Sequence, residues 1–226
     1  MGLIDGLSGV IYSNLIREGR YLLFFQGLWT TLEITAFALL LGIVIGTLVA
    51  LVRVMHVKVL DKIAKAYVDI IRGTPAVVQL VIIYYAILGG VNLPKVLVAS
   101  VAFAINSGAY VSELIRGGIL GIDKGQMEAA RSLGMSWGKS MRYIIIPQAT
   151  KHILPALVNE CIQVLKETAI AGYIALDDLT RMGNIIRSRT FDAYTPFIVV
   201  AVVYFYTTTI LSLFAERLEK RLRASD

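Results

Sequence analysis

Apolar side chains gather along this chain into five blocks, 28–52, 66–88, 96–115, 153–176 and 194–214. Each is long enough for a helix of about 20 residues to cross a hydrocarbon layer. Backbone groups in hydrocarbon must find partners within their own segment, so the blocks are predicted as helices. The first and last are the plainest: Glu33 is the single charge in one, and the other has none. The fourth is the weakest by hydropathy because it carries Glu160, Lys166 and Glu167. The pattern predicts an all-α integral membrane protein with five transmembrane helices, an outer N-terminal segment 1–27, a transmembrane domain 28–220 and a short tail 221–226. Thr74-Pro75 interrupts the backbone ladder of the second block and marks a kink there. Gly42 and Gly46 form a GxxxG in the first, which points to close helix packing. Tyr194 suits the membrane interface, Tyr204 and Tyr206 the packing of the last span.

Composition agrees with the pattern. Apolar residues make up 57%, charged residues 17%, and the mean hydropathy is +0.71, against about 45–50% and 25% in soluble domains. The excess of 22 Lys and Arg over 16 Asp and Glu gives +6. In a soluble protein that charge would suggest nucleic acid; here it suggests basic residues held at one membrane face, and no nucleic-acid partner is expected. Five spans put the termini on opposite sides. Most of the basic residues fall after the first span, in the loop 116–152 and in the tail, so these are predicted to be cytoplasmic and the N-terminus outside. Cys161 is alone, which excludes a disulfide framework and CxxC metal sites. With His56 and His152 the only histidines, no zinc site is expected. The first residues carry Asp5 where a signal peptide has a basic cluster, so the first span is expected to be its own insertion signal.

The loop 116–152 is too short for a separate domain and too patterned for a linker. Residues 125–134 read as a short helix ending at Gly134, whose missing Cβ tolerates a left-handed cap. Ser136 can cap a second short helix that closes before Pro147. Together they make a compact knob with Ala129, Ala130, Leu133 and Met135 as apolar surface and Glu128, Arg131, Lys139 and Arg142 at its edges. Such a knob fits a groove on a soluble partner, although composition alone favours an amphipathic loop resting on lipid headgroups. The segment Gly134-Met135-Ser136-Trp137-Gly138-Lys139-Ser140 is a near miss to a P-loop. It has three residues between its glycines where the phosphate cradle needs four, and no strand precedes it, so nucleotide binding by this chain is not expected.

Glu128-Ala129-Ala130, three residues, Gly134, nine residues and Ile144-Ile145-Ile146-Pro147 resemble the EAA loop of ABC importer permeases, with Ile146 where Leu is usual. The resemblance runs through Arg72-Gly73-Thr74-Pro75 and Gln79, Asn106-Ser107-Gly108-Ala109-Tyr110 with Glu113 and Arg116-Gly117-Gly118, Gly125-Gln126, Pro147-Gln148-Ala149, and Asn159-Glu160 with Lys166-Glu167-Thr168. Together these are similar to the polar amino acid permeases, the histidine, glutamine and arginine uptake type; Ala169 replaces a frequent Ser, and residues 1–27 match nothing specific. The resemblance implies the type I importer permease fold in a bacterial cytoplasmic membrane. It also implies two ATPase subunits, a second permease, identical or related, and an extracytoplasmic solute-binding protein docking on 89–95 and 175–193. Gly125, Gln126, Glu128, Ala129, Ala130 and Gly134 become the positions that engage the ATPase. No cofactor is expected on this chain, no catalytic residue and no metal; ATP and Mg belong to the partner ATPase.

The fourth block places Asn159, Glu160, Gln163, Lys166 and Glu167 at lipid depth, where each unpaired charge costs about 2.5–3.5 kcal/mol. Helical spacing puts Glu160, Gln163 and Glu167 on one stripe and Asn159, Gln163 and Lys166 on the next, so they face protein or a cavity. One reading is a solute pathway in which the carboxylates meet an amino or guanidinium group and Lys166 meets a carboxylate. The other is a structural network in which Lys166 and a glutamate neutralise one another. Thr74, Ser107 and Tyr110 join the pathway set, although Ser107 and Tyr110 would serve helix packing equally well. Arg72 and Asp69 fit either snorkelling or a gate, and Glu33 has no evident partner. The expected function is therefore the permease subunit of an importer for polar, basic L-amino acids. An ATP-independent channel or secondary transporter is the alternative, although the repeat with paired broken helices that such a protein would show is not found.

Overall fold

The computed structural model describes residues 9–55 and 58–223. The start of the N-terminal segment with Asp5, His56, and the last residues of the tail lie outside the described residues. A short irregular helical stretch up to Gly19 precedes nine helices in the described chain, here α1 (Tyr21–Val54), α2 (Lys58–Arg72), α3 (Ala76–Val81, extended by a π turn to Ile87), α4 (Lys95–Leu120), α5 (Lys124–Ser132), α6 (Trp137–Ser140), α7 (Ile146–Glu167), α8 (Leu179–Thr190) and α9 (Thr195–Arg223). By length and composition α1, α4 and α9 can each cross a membrane. α7, at 22 residues, is long enough but too polar along its length to count with them, as the weak hydropathy of the fourth block foretold.

The expected second span is not one kinked helix. α2 and α3 are separate and meet at 107°, because Pro75 cannot donate to the ladder and Pro75 itself is extended (φ −65°, ψ 136°). The carbonyls freed at the break are taken up by one side chain: Gln79 Nε2 donates to Ile71 O (2.7 Å), Thr74 O (3.1 Å) and Thr74 Oγ1 (2.7 Å). Asn106 on α4 in turn donates to Gln79 Oε1 at 2.9 Å, fastening the corner to the bundle.

The core is a long α1–α4 seam of small residues. Gly42 and Gly46 let the backbones approach, as the GxxxG spacing predicts: a Cβ on Gly46 would sit 2.6 Å from Val111, and one on Gly108 2.8 Å from Ile45. Around the seam Ile34, Leu80, Phe103, Val164 and Ile174 form the apolar interior, so α3 and α7 close on the same pair. α7 ends in a 3-10 stretch, Thr168–Ile174, and Ala175 (φ 55°) reverses the chain. Asp178, fully buried, then caps α8 by accepting from the N–H groups of Thr180 and Arg181. Burial pushes its carboxyl up to about 6 against the pull of those donors. The N-terminal stretch, silent in sequence, is tied to this end: Asn14 Nδ2 donates to Asp192 Oδ2 at 2.8 Å.

The loop after α4 also departs from expectation in one respect. α6 does not close before Pro147; a π turn over Met141–Ile145 carries it straight into α7, with Pro147 in the first turn, where a missing N–H costs nothing.

Candidate functional site

Two features of the molecule concentrate polar chemistry. The first is a cleft of about 400 Å³ between the end of α2, the middle of α4 and α7, lined by Arg72, Tyr110, Glu113, Leu114, Ala156, Asn159, Glu160 and Gln163. Of the pathway residues expected from sequence, Tyr110, Asn159, Glu160 and Gln163 meet here. Glu160 is held at the back, only 6% exposed. Ser107, itself buried in the α1–α4 seam, donates to Glu160 Oε1 at 2.8 Å. A carboxylate in that position has one protein donor on one oxygen and a cleft in front of the group.

Arg72 forms the opposite wall. Its guanidinium lies 5.3 Å from the centre of the Tyr110 ring and 3.8 Å from Glu113 Oε2. Glu113 is crowded with cations: Arg116, one turn on, donates to both of its oxygens (3.1 and 2.8 Å), and Arg53 at the end of α1 donates to Oε1. Asp61 on α2 stands 4.0 Å from Arg53. This knot joins α1, α2 and α4 at the basic end of the bundle. The Glu113 and Arg116 spacing was visible in sequence; the arrival of Arg53 and Arg72 on the same carboxylate was not, because it depends on how α2 crosses the bundle.

The remaining expected pathway residues stand elsewhere. Thr74 serves the α2–α3 corner, donating to Ile70 O at 2.9 Å and accepting from Gln79. Glu167 accepts from Gln163 Nε2 at 3.2 Å, a helical i,i+4 pair. Lys166 is exposed and does not line the cleft. Gln79 and Asn106, which hold the corner shut beside the cleft, were not singled out as site residues.

The second feature is the knob. Asp123 caps α5 by accepting from Gly125 N–H at 2.6 Å, and a Cβ on Gly125 would lie 2.8 Å from that carboxylate oxygen, which is why glycine fits there. The helix ends where Gly134 turns to φ +81°. Met135 N–H then returns to Ala130 O at 3.1 Å, and Arg131 Nη1 donates to Met135 O at 2.8 Å, so the bend is locked from both sides. Ser136 caps α6 as its position predicts. Ala130 turns inward and is buried, while Glu128 and Ala129 face out and Leu133 is 84% exposed. Gln126 lies at the base, accepting from Gln148 at 3.5 Å. The result is a locally braced projection with an apolar tip and a charged rim.

The chain as a whole has known relatives. Residues 42–224 match the family model of the binding-protein-dependent transport system inner membrane component. The chain is 38% identical to the arginine transport system permease protein ArtQ of Bacillus subtilis (strain 168), covering 89% of this chain and 93% of that one. It is 37% identical to the glutamine transport system permease protein GlnP of Escherichia coli (strain K12), with the same coverage. A crystal structure of an amino acid ABC transporter with histidines superposes at a TM-score of 0.86 with 44% identity over 95% of this chain and 97% of that one. The methionine ABC transporter MetNI, at 21% identity and a TM-score of 0.78, shares the fold.

Proposed function

The chain belongs to the family of binding-protein-dependent transport system inner membrane components and is a permease of an amino acid ABC transporter; from that premise we propose that it carries a polar, cationic L-amino acid inward past Glu160. The observation that carries the choice of solute is the setting of that carboxylate. Glu160 is buried with a single hydroxyl donor, forms no ion pair among the described residues, and opens onto the cleft whose far wall is Arg72. An ionised carboxylate at that depth is costly without a counter-charge, and a passing ammonium or guanidinium supplies one at short range. Asn159, Gln163 and Tyr110 offer the neutral hydrogen-bonding and aromatic groups that orient such a solute. Arg72 across the cleft is placed to receive its carboxylate, the role first expected of Lys166.

In this reading the basic end of the bundle is cytoplasmic. The knob around Glu128, Ala129, Ala130 and Gly134 seats in a cleft of an ATPase subunit, with Gly125 and Gln126 at its base. A second permease, identical or related, completes the route, and an extracytoplasmic binding protein delivers the solute on the opposite face. ATP closure moves the knobs together and opens the cleft outward; hydrolysis resets it. The reading is supported by the local hydrogen bonds that brace the knob, which can transmit force only if it does not unfold under it.

The test is uptake by the reconstituted complex. Glu160→Gln is expected to lower uptake of a cationic amino acid by at least tenfold, consistent with a buried charge contact of about 1.5–3 kcal/mol, and Lys166→Met by much less. Preference for a neutral amino acid, carried at the wild-type rate by Glu160→Gln, would overturn the assignment.

A further inference from the structure

α2 presents three faces that differ in kind. Ala64 and Val68 are buried against the bundle, and Tyr67 anchors the helix by donating from its hydroxyl to Ile105 O. A second face carries Lys58, Lys62 and Lys65, all exposed, with Asp69 following at the same pitch. Between them and away from the core runs an apolar stripe, Val59, Ile63, Ala66 and Ile70, in which Val59 is 69%, Ile63 62% and Ile70 63% exposed. Spacings of four, three and four make this one continuous edge of the helix. The 107° turn at Gly73–Pro75 swings α2 away from the direction of α3. The pairs Asp61 with Arg53 and Arg72 with Glu113 hold it at the basic end of α1 and α4.

We propose that α2 lies in the headgroup boundary at the basic end of the bundle and binds anionic phospholipid, its apolar stripe among the acyl chains and Lys58, Lys62 and Lys65 on the phosphates. An apolar edge beside a basic one is the arrangement that sinks a helix a few ångströms into a bilayer surface. Charge selects the occupant. The lysines have no acidic partner among the described residues, since Asp61 on the same helix turns to Arg53. A second copy of a chain of net charge +6 would bring like charge to the same stripe. An anionic leaflet offers the complement at every position, and each lysine near it adds to affinity.

The experiment uses the purified complex with its partner subunits, carrying Cys161→Ser and a fluorophore on Ile63→Cys, in phosphatidylcholine bilayers. Quenching is titrated with brominated phosphatidylglycerol and, separately, brominated phosphatidylcholine. The expected result is quenching at roughly tenfold lower mole fraction of the anionic lipid at low salt. That preference should collapse toward equality in high salt and in the Lys58→Gln, Lys62→Gln, Lys65→Gln triple variant. The corresponding triple Arg variant should keep it, which separates charge from damage to the fold. Equal quenching by both lipids would overturn the proposal. So would quenching by neither together with cross-linking of Ile63→Cys to a neighbouring subunit, showing that protein covers the stripe.

Discussion

The knob and the cleft are built by opposite means. The bonds that cap and bend the knob are local: Asp123 to Gly125, Met135 to Ala130, Arg131 to Met135 and Ser136 to Lys139 all span five residues or fewer, while the long Gln126–Gln148 contact at its base reaches further. The cleft is assembled from segments far apart in the chain, with Ser107 reaching Glu160 across 53 positions and Arg53 reaching Glu113 across 60. A locally braced element keeps its shape when pushed. A site whose walls belong to different helices changes shape when those helices move. If the knob is where an ATPase pushes and the cleft is where the solute sits, as proposed, that division puts the local bracing where force enters and the adaptable walls where the solute binds.

Substitutions that strike the two regions unequally sharpen the contrast. The largest effect is expected from Gly46→Leu, where a side chain would drive into Val111 at 2.6 Å. Overpacking of about 1–3 kcal/mol at the α1–α4 seam should lower the thermal midpoint and disturb the cleft behind Ser107, leaving the exchange protection of α5 amides unchanged. A concurrent loss of α5 protection would show that the knob depends on the bundle after all. Next is Ser107→Ala, which strips Glu160 of its donor. It is expected to weaken solute-stimulated ATP hydrolysis about tenfold or less, consistent with roughly 1 kcal/mol for one such bond, while basal hydrolysis stays at the wild-type level.

The smallest effect lies at the opposite end of the bundle. Because the folded state holds the Asp178 carboxyl at about 6, above its unfolded value, the fold favours its protonated form. That contribution is complete below the unfolded pKa and disappears as pH rises through about 6. The thermal midpoint of the wild type should therefore decline over that window, whereas Asp178→Asn, which can still cap α8, should show a shallower decline. An unchanged pH profile would show that burial of this carboxyl does not affect stability.

The same division explains what could be read from sequence. Gly134, Ser136 and the Gly42/Gly46 pair announce themselves because glycine and capping residues act within a turn or a helix face, and the structure places each in that role. The family resemblance was carried by contiguous motifs and is shown by the relatives. Asn159, Glu160 and Gln163 could be expected to face a cavity because charge at lipid depth has few alternatives. What sequence did not disclose came from the path of α2. Thr74-Pro75 read as a kink, yet the corner is a full break stabilised by Gln79 and Asn106, and only that corner carries Arg72 to Glu113 and Tyr110. Periodicity also ran α6 to a stop before Pro147, whereas a π turn absorbs the ring and joins the knob to α7, linking the two regions by a continuous helical path.

That path makes Gly134 the most direct point of attack. Uptake and ATP hydrolysis are to be measured on the same proteoliposomes holding the complete complex with Gly134→Leu. At φ +81° a leucine is strained by about 1–2 kcal/mol and re-aims the tip with Leu133. Hydrolysis that persists while uptake falls at least tenfold is the predicted outcome; uptake at the wild-type rate per ATP would contradict the assignment of this loop as the element that carries work into the membrane.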